Sequence, residues 1–129
     1  MKIASNIAGA LLGLLFVMFS LMVLLKLGPT PPMPPEGSPA GMFMAAFAPT
    51  GYLVFVKSLE LIGGILVAVP LTRNLGLLVL GPIIVNILAF HAFIMKGEGL
   101  FSPPIILICA LAAFLLWSAR KAFAGLLVR

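Results

Sequence analysis

Residues 52–95 decide the fold, and they read YLVFVKSLELIGGILVAVPLT (52–72), RN (73–74) and LGLLVLGPIIVNILAFHAFIM (75–95). At 1.5 Å per helical residue, each apolar run is about long enough to cross a hydrocarbon core of about 30 Å. The connection between the runs is short, so the two helices must be antiparallel neighbours. The segment therefore predicts a helical hairpin that spans a membrane.

The composition of the whole chain points to lipid as its solvent. Hydrophobic residues make up 63% of the 129 residues and charged residues 9%, whereas soluble domains average roughly 45–50% and 25%. Basic residues neither form a run nor alternate with aromatics, which argues against nucleic-acid binding. Cys109 is the one cysteine, which excludes an internal disulfide and a thiolate metal site of ordinary spacing.

Two further apolar runs flank the hairpin, and together they predict an all-α, integral membrane four-helix bundle as a single domain over residues 1–129. A cleaved secretory signal is the alternative for the first run, but that run is longer than the apolar part of a signal. The four predicted helices cover residues 3–27, 51–72, 75–95 and 103–121.

The segment between the first two helices, residues 28–50, is rich in proline, which excludes a continuing helix. Its apolar part, residues 41–47, is too short to span a membrane and predicts a short interfacial helix over the mouth of the bundle. We interpret this helix as a candidate lid.

The distribution of basic residues predicts the orientation, because Lys and Arg are enriched on the cytoplasmic side. It places both termini in the cytoplasm and the proline-rich loop outside, as in a multi-pass protein of a bacterial-type cytoplasmic (inner) membrane. The predicted inner side carries Lys2, Arg73, Arg120, Lys121 and Arg129, and the outer side carries Lys26 and Lys96.

Small residues recur at every fourth position of the first helix, at Ser5, Gly9 and Gly13, and the second helix contains Gly63-Gly64. Such spacing lets another helix backbone approach closely. Helix packing within the chain is the simplest use of these residues. Homodimerisation and the binding of another subunit are the alternatives.

Four polar residues, here called the polar cluster, lie within the hairpin: Lys57, Glu60, Asn86 and His91. A charge near a bilayer centre costs roughly 2.5–3.5 kcal/mol on insertion scales, so such residues are usually paired or functional. Lys57 and Glu60 are three apart and can pair directly. A simple register about the Arg73 turn places Glu60 level with Asn86 or Ile87, and Lys57 level with Ala89 or Phe90. Asn86 and His91 are about 140° apart on a helix and need not face one cavity.

Each member of the polar cluster has a structural and a functional interpretation. Glu60 is either half of a self-neutralising ion pair or a carboxylate that binds a proton or a ligand. His91 packs helices, contacts a quinone-like headgroup, or ligates a haem or metal. A single histidine is a weak metal signal, so we expect no metal site, and a quinone is favoured over a haem. The sequence contains no aspartate, no HExxH and no phosphate-binding loop. The catalytic residues, if any, stay unknown.

The segment Lys57-Ser-Leu-Glu60-Leu-Ile-Gly63-Gly64, the basic turn at Arg73 and His91 near the outer end of the third helix resemble the DoxX-like family of small four-helix membrane proteins. The resemblance implies the same fold and a link with redox systems, because family members resemble the small subunit of a thiosulfate:quinone oxidoreductase or membrane partners of oxidative-stress enzymes. Glu60 and His91 match the polar positions of the family.

These observations favour a small accessory subunit of a quinone-linked membrane assembly, non-catalytic or weakly catalytic by itself, with the bilayer and other subunits as its partners. A small proton-coupled transporter or channel-like protein is the second hypothesis, with Glu60 carrying the proton. A structural or assembly subunit is the third, with Gly9 and Gly13 contacting a neighbour.

Overall fold

The computed structural model describes residues 2–28 and 34–127, and all secondary structure in these residues is helical. The predicted all-α fold is thus confirmed. A stretch of π-helix, Phe90–Ile94, continues from α4, and part of the proline-rich loop lies outside the described residues. The helices are α1 (Lys2–Leu24), α2 (Pro39–Phe47), α3 (Tyr52–Ala68), α4 (Arg73–Ala89), α5 (Pro103–Ser118) and α6 (Arg120–Ala124).

The four long helices pack side by side around one core. α1 packs most extensively against α3, α3 also packs against α4, and α5 contacts both α1 and α4. We call the end of the bundle formed by Leu24, Tyr52 and Pro103 the loop end, and the end formed by Lys2, Thr72 and Ser118 the turn end. The centre of the core is formed by side chains that are at most 2% exposed, namely Leu12, Phe16, Val67, Leu80 and Leu115.

Two stretches are long and apolar enough to cross a membrane, namely Lys2–Leu24 and Pro70–Ile94. Two further pairs of helices are bent, and the number of candidate membrane spans rises to four if each bent pair counts as one span. α2 meets α3 at 81°, and the segment that begins with α6 meets α5 at 72°. α3 alone has 17 residues, or roughly 26 Å at 1.5 Å per residue. The described residues therefore carry the length and apolarity of a membrane protein.

The turn between α3 and α4 lies earlier in the sequence than predicted. α3 ends at Ala68, whereas the sequence predicted residue 72, because Pro70 disfavours helical geometry at Val69, which is extended with a ψ of 123°. A 3-10 turn over Pro70–Thr72 follows, and α4 begins at Arg73, two residues before the predicted start.

This earlier turn corrects the predicted register of the hairpin. A Cβ on Gly63 would lie 2.7 Å from Leu80, and one on Gly76 would lie 2.5 Å from the backbone of Val67. Continuing this register toward the loop end places Lys57 level with Asn86 and Glu60 level with Ile83. The prediction that Glu60 is level with Asn86 is wrong by nearly one turn, because it assumed that the chain reverses at Arg73.

The other helix ends also differ by a few residues. α1 ends at Leu24 instead of residue 27, because Lys26 has a φ of +54° and the Leu27 N–H donates to the Met22 carbonyl over 2.9 Å. α2 begins at Pro39, two residues early, because the Ser38 hydroxyl accepts from the Gly41 N–H over 3.0 Å. α5 ends at Ser118 instead of residue 121, where the chain bends into α6.

α1 and α3 approach closely where both lack side chains. A Cβ on Gly13 would collide with the carbonyl oxygen of Gly64, and one on Gly64 would lie 3.0 Å from the carbonyl oxygen of Gly13. Gly9 and Gly13 are buried and Ser5 is half-buried. The glycines of this α1 face are therefore covered by the chain itself.

We expect Gly13→Ala to lower the free energy of unfolding by about 1–3 kcal/mol, because the added methyl group overpacks the contact between α1 and α3. Gly81→Ala is the matched control, because no atom lies within 4 Å of its added Cβ and alanine favours helix by about 1 kcal/mol. Thermal unfolding in detergent, followed by far-UV circular dichroism, compares the two variants. Equal midpoints would contradict the assignment of Gly13 to a close helix contact.

Arg73 joins three helices at the turn end. Its Nε donates to the Val67 carbonyl over 3.1 Å, and its Nη1 donates to Asn6 Oδ1 over 3.1 Å. The Thr72 hydroxyl donates to the Leu66 carbonyl over 2.8 Å. These groups satisfy carbonyls that the end of α3 leaves unpaired, and a cation is favoured there by the helix dipole. The guanidinium lies where a Cβ on Gly9 would be, so Gly9 makes room for it.

Arg73→Met should lower the free energy of unfolding by about 1–3 kcal/mol, because the Val67 carbonyl loses its donor inside the bundle. Arg120→Met is the control. Arg120 is exposed and stacks on Trp117 at 4.3 Å from the ring centroid, a contact that contributes about 0.5–1 kcal/mol at exposed sites. Chemical denaturation of both variants in the same detergent tests the difference. A larger loss for Arg120→Met would refute the role given to Arg73.

Candidate functional site

A cavity of about 1750 Å³ lies at the loop end of the bundle. Its walls come from the C-terminal part of α1, from α2, from the first half of α3 and from the second half of α4 with its π-helical continuation. Most of the lining is apolar. The polar side chains on it are those of Lys26, Tyr52, Lys57, Glu60, Asn86 and His91. The whole polar cluster thus lines one cavity, although the helical angle between Asn86 and His91 did not require it.

The cavity does not extend to the turn end. The space there is filled by Leu12, Val67, Leu80 and Leu115, which are at most 1% exposed. Gly9, Gly13, Gly63, Gly64 and Gly76 lie in this packed part or at its border, and none of them lines the cavity. Gly63 and Gly64 thus serve helix contacts with α4 and α1 respectively. The cavity is a pocket with one closed end.

Lys57 and Glu60 form the predicted ion pair in the wall of this pocket. The Lys57 Nζ lies 3.0 Å from Glu60 Oε2, and the two side chains are 20% and 5% exposed respectively. Glu60 Oε2 is buried and has no hydrogen-bond partner of acceptable geometry among the described residues. The short distance therefore gives charge neutralisation without a well-directed hydrogen bond. Glu60 keeps capacity to accept a hydrogen bond from a ligand.

His91 lies farther toward the loop end, in the π-helical stretch. Its Nδ1 is 3.1 Å from the backbone carbonyl oxygen of Glu98. Because a carbonyl oxygen only accepts, Nδ1 carries the proton of this hydrogen bond, which leaves Nε2 of the neutral ring as an acceptor. Gly99 lies beside the ring with a φ of +77°, a conformation that favours glycine. Asn86 is exposed and can both donate and accept.

A row of aromatic rings holds α2 over the cavity. We call the rings of Phe90, Phe43, Phe47, Tyr52 and Phe55 the aromatic row. Consecutive ring centroids lie 5.0, 5.0, 5.0 and 6.4 Å apart, distances typical of favourable aromatic pairs. Phe43 extends from α2 to Phe90 in the π-helical stretch, and Phe47 extends to Tyr52 in α3. The backbone of α2 otherwise makes few contacts with the long helices. α2 thus forms part of the cavity wall, and its role as a lid stays a prediction.

Sequence reasoning missed the aromatic row and the contacts of Arg73. Phe43 and Phe47 are four residues apart, which places them on one face of a helix and was an available signal. Their partners on α3 and α4 could not be read from the sequence, because they depend on the angle between α2 and α3. In the sequence Arg73 indicates the orientation and forms part of the family resemblance, and its position directly after Pro70-Leu-Thr72 also suits a residue that caps a helix end.

No family model, no curated protein and no solved structure matches this chain. Within residues 2–28 and 34–127, no three His, Cys, Asp or Glu side chains come together as metal ligands. The arrangement of the pocket is therefore the basis for a functional proposal.

Phe43→Ala should loosen α2, because it removes the ring that contacts both Phe47 and Phe90. We expect backbone amides of residues 42–48 to exchange at least about threefold faster, since aromatic pairs contribute about 0.5–1.5 kcal/mol beyond area burial. Hydrogen–deuterium exchange with mass spectrometry measures this. Phe101→Ala is the control, because Phe101 is 81% exposed and outside the aromatic row. Unchanged exchange in Phe43→Ala would show that the aromatic row does not hold α2.

Proposed function

We propose that the chain is a four-helix, multi-pass membrane protein that binds an amphipathic, quinone-like lipid in the loop-end cavity, as a non-catalytic accessory subunit of a membrane redox assembly. The observation that carries the proposal is an apolar cavity with one buried ion pair in its wall. Ligand pockets are mostly apolar and contain a few placed polar groups. The apolar wall of the cavity suits the ring and the tail of such a lipid, and the Lys57–Glu60 pair suits the polar groups of its head.

Three features support the membrane part of the proposal. The exposed surface of the long helices carries many large apolar side chains, including Ile3, Leu14, Phe55 and Val85. Arg73 and Arg120 lie at the turn end, where the positive-inside rule places the cytoplasm. The α2 and α6 segments bend by 81° and 72° from the helices beside them, as short interfacial helices would. We propose the bacterial-type cytoplasmic membrane, with the loop end outward.

The redox part rests on the resemblance to the DoxX-like family. The segment from Lys57 to Gly64 and His91 carry that resemblance, and Lys57, Glu60 and His91 all line the cavity. In this proposal the chain holds the lipid and another subunit performs the chemistry. The protein partner would contact surfaces other than the glycine face of α1, because Gly9 and Gly13 are covered within the chain.

Proton-coupled transport is the second candidate, and the position of Glu60 favours it. A carboxylate that is 4% exposed at the wall of an open pocket suits a proton carrier. The packed turn end disfavours it, because Leu12 and Val67 leave no route from Glu60 to the other side. pH-dependent flux in vesicles that contain this chain alone would favour transport over lipid binding.

We expect the protein extracted in native nanodiscs to contain a co-purified quinone-like lipid, detectable by mass spectrometry and by its absorption spectrum. Glu60→Gln should reduce the bound amount at least about tenfold, because the pair with Lys57 is broken at a buried site. It should also impair quinone-linked turnover of the assembly. Glu98→Gln is the matched control, because it removes the same charge from an exposed side chain that does not line the cavity.

The outcomes separate the candidates. A preparation of intact helical content without any bound lipid would refute the proposed function. Equal quinone content in Glu60→Gln and Glu98→Gln would show that the Lys57–Glu60 pair does not hold the headgroup. Partner subunits with redox centres in the same preparation would support the accessory role.

A further inference from the structure

We propose that the pocket selects a headgroup with a hydroxyl that donates to Glu60 and accepts from Lys57, so the reduced hydroquinone form binds more tightly than the oxidised quinone. This inference rests on the proposed function and deepens it by naming the chemical form of the ligand. The observation that carries it is the carboxylate of Glu60 in the wall of the cavity, which Lys57 neutralises at 3.0 Å without a well-directed hydrogen bond.

Glu60 lacks a directed hydrogen bond. An ionised carboxylate only accepts hydrogen bonds, and its two oxygens can accept several. Glu60 is 4% exposed, and its Oε2 lies 3.0 Å from Lys57 Nζ without a well-directed hydrogen bond within the described residues. Leaving the hydrogen-bonding capacity of a buried carboxylate unused is unfavourable. A ligand in the cavity that donates to this carboxylate therefore gains a charge-assisted hydrogen bond that the protein does not make by itself.

Lys57 lies beside Glu60 and adds a donor to the acceptor. The Lys57 ammonium has three donors and no acceptor, and it lies 3.0 Å from the carboxylate. A ligand group next to this pair meets an acceptor and a donor together. A hydroxyl serves both, because it donates one proton and accepts with its lone pairs. A quinone carbonyl serves Lys57 only, and its oxygen would face the carboxylate of Glu60 with no proton between them.

The remaining polar wall consists of His91, Asn86, Lys26 and Tyr52. His91 is fixed by the Glu98 carbonyl so that its Nε2 is an acceptor, which again suits a ligand donor. Asn86 adapts to either form, because an amide has both kinds of group. Lys26 and Tyr52 are exposed and keep their hydration. The buried and half-buried groups thus offer two hydrogen-bond acceptors and one ammonium donor, and the two hydroxyls of a hydroquinone match them better than the two carbonyls of a quinone.

The test uses the purified full chain in nanodiscs, with its native lipid exchanged for three probes of matched size. The probes are decylubiquinone, decylubiquinol under anaerobic conditions, and the dimethyl ether of decylubiquinol, which keeps the reduced ring and lacks both hydroxyl donors. Titration calorimetry gives the three values of Kd. We expect decylubiquinol to bind at least about tenfold more tightly than the other two, which corresponds to one charge-assisted hydrogen bond.

The variants assign the preference to Glu60. Glu60→Gln should weaken binding and reduce the preference for decylubiquinol to less than about twofold, because decylubiquinol alone loses a charge-assisted hydrogen bond to the carboxylate. Glu98→Gln should retain the wild-type preference. Far-UV circular dichroism of each variant establishes that the helices are intact. Lys57→Met is a second variant of the same ion pair. It removes the ammonium donor and should weaken the binding of all three probes.

The failure of this inference differs from the failure of the proposed function. Equal affinity for quinone and quinol, tighter binding of the quinone, or tight binding of the dimethyl ether would overturn the inference and leave a quinone-binding protein. An unchanged preference in Glu60→Gln would overturn it as well. The absence of binding by every probe to the folded wild-type chain would overturn the proposed function itself.

Discussion

The close approach of α1 and α3 at Gly13 and Gly64 is the contact on which the rest of the structure depends. Each glycine faces the carbonyl oxygen of the other, so any side chain would separate the two helices. The glycines that face neighbouring helices lie in the turn-end half of the bundle, and the loop-end halves of α1 and α3 contain none. The cavity lies in this loop-end half, and Phe19, Leu59 and other large side chains form part of its wall.

Glu60 lies at the border between the packed half and the cavity. It precedes Gly63 and Gly64 by about one turn, and its carboxylate is buried with Lys57 as its partner. A buried ion pair is weak evidence for stability, because desolvation offsets the attraction and apolar replacements are often as stable. The pair lies at the wall of an open apolar pocket, and the proposed recognition of a lipid headgroup rests on this position.

The two ends of the bundle are held by different kinds of interaction. At the turn end, Arg73 and Thr72 satisfy the carbonyls at the end of α3 and join it to α1. At the loop end, α2 is attached through aromatic rings, which pack without directional hydrogen bonds. The loop end is therefore joined by apolar ring contacts, and the turn end by directed hydrogen bonds.

The sequence by itself determined the all-helical fold, the length of the apolar helices and the pairing of Lys57 with Glu60, because these follow from local apolarity and from spacing within one helix. It also marked Gly9, Gly13, Gly63 and Gly64 as contact residues. The tertiary structure decided which helix each glycine meets, the register that places Lys57 level with Asn86, and the meeting of Asn86 and His91 on one cavity. Those features depend on where Pro70 reverses the chain and on how large side chains from four helices fill the space between them. Both are properties of the packed bundle and not of any one segment.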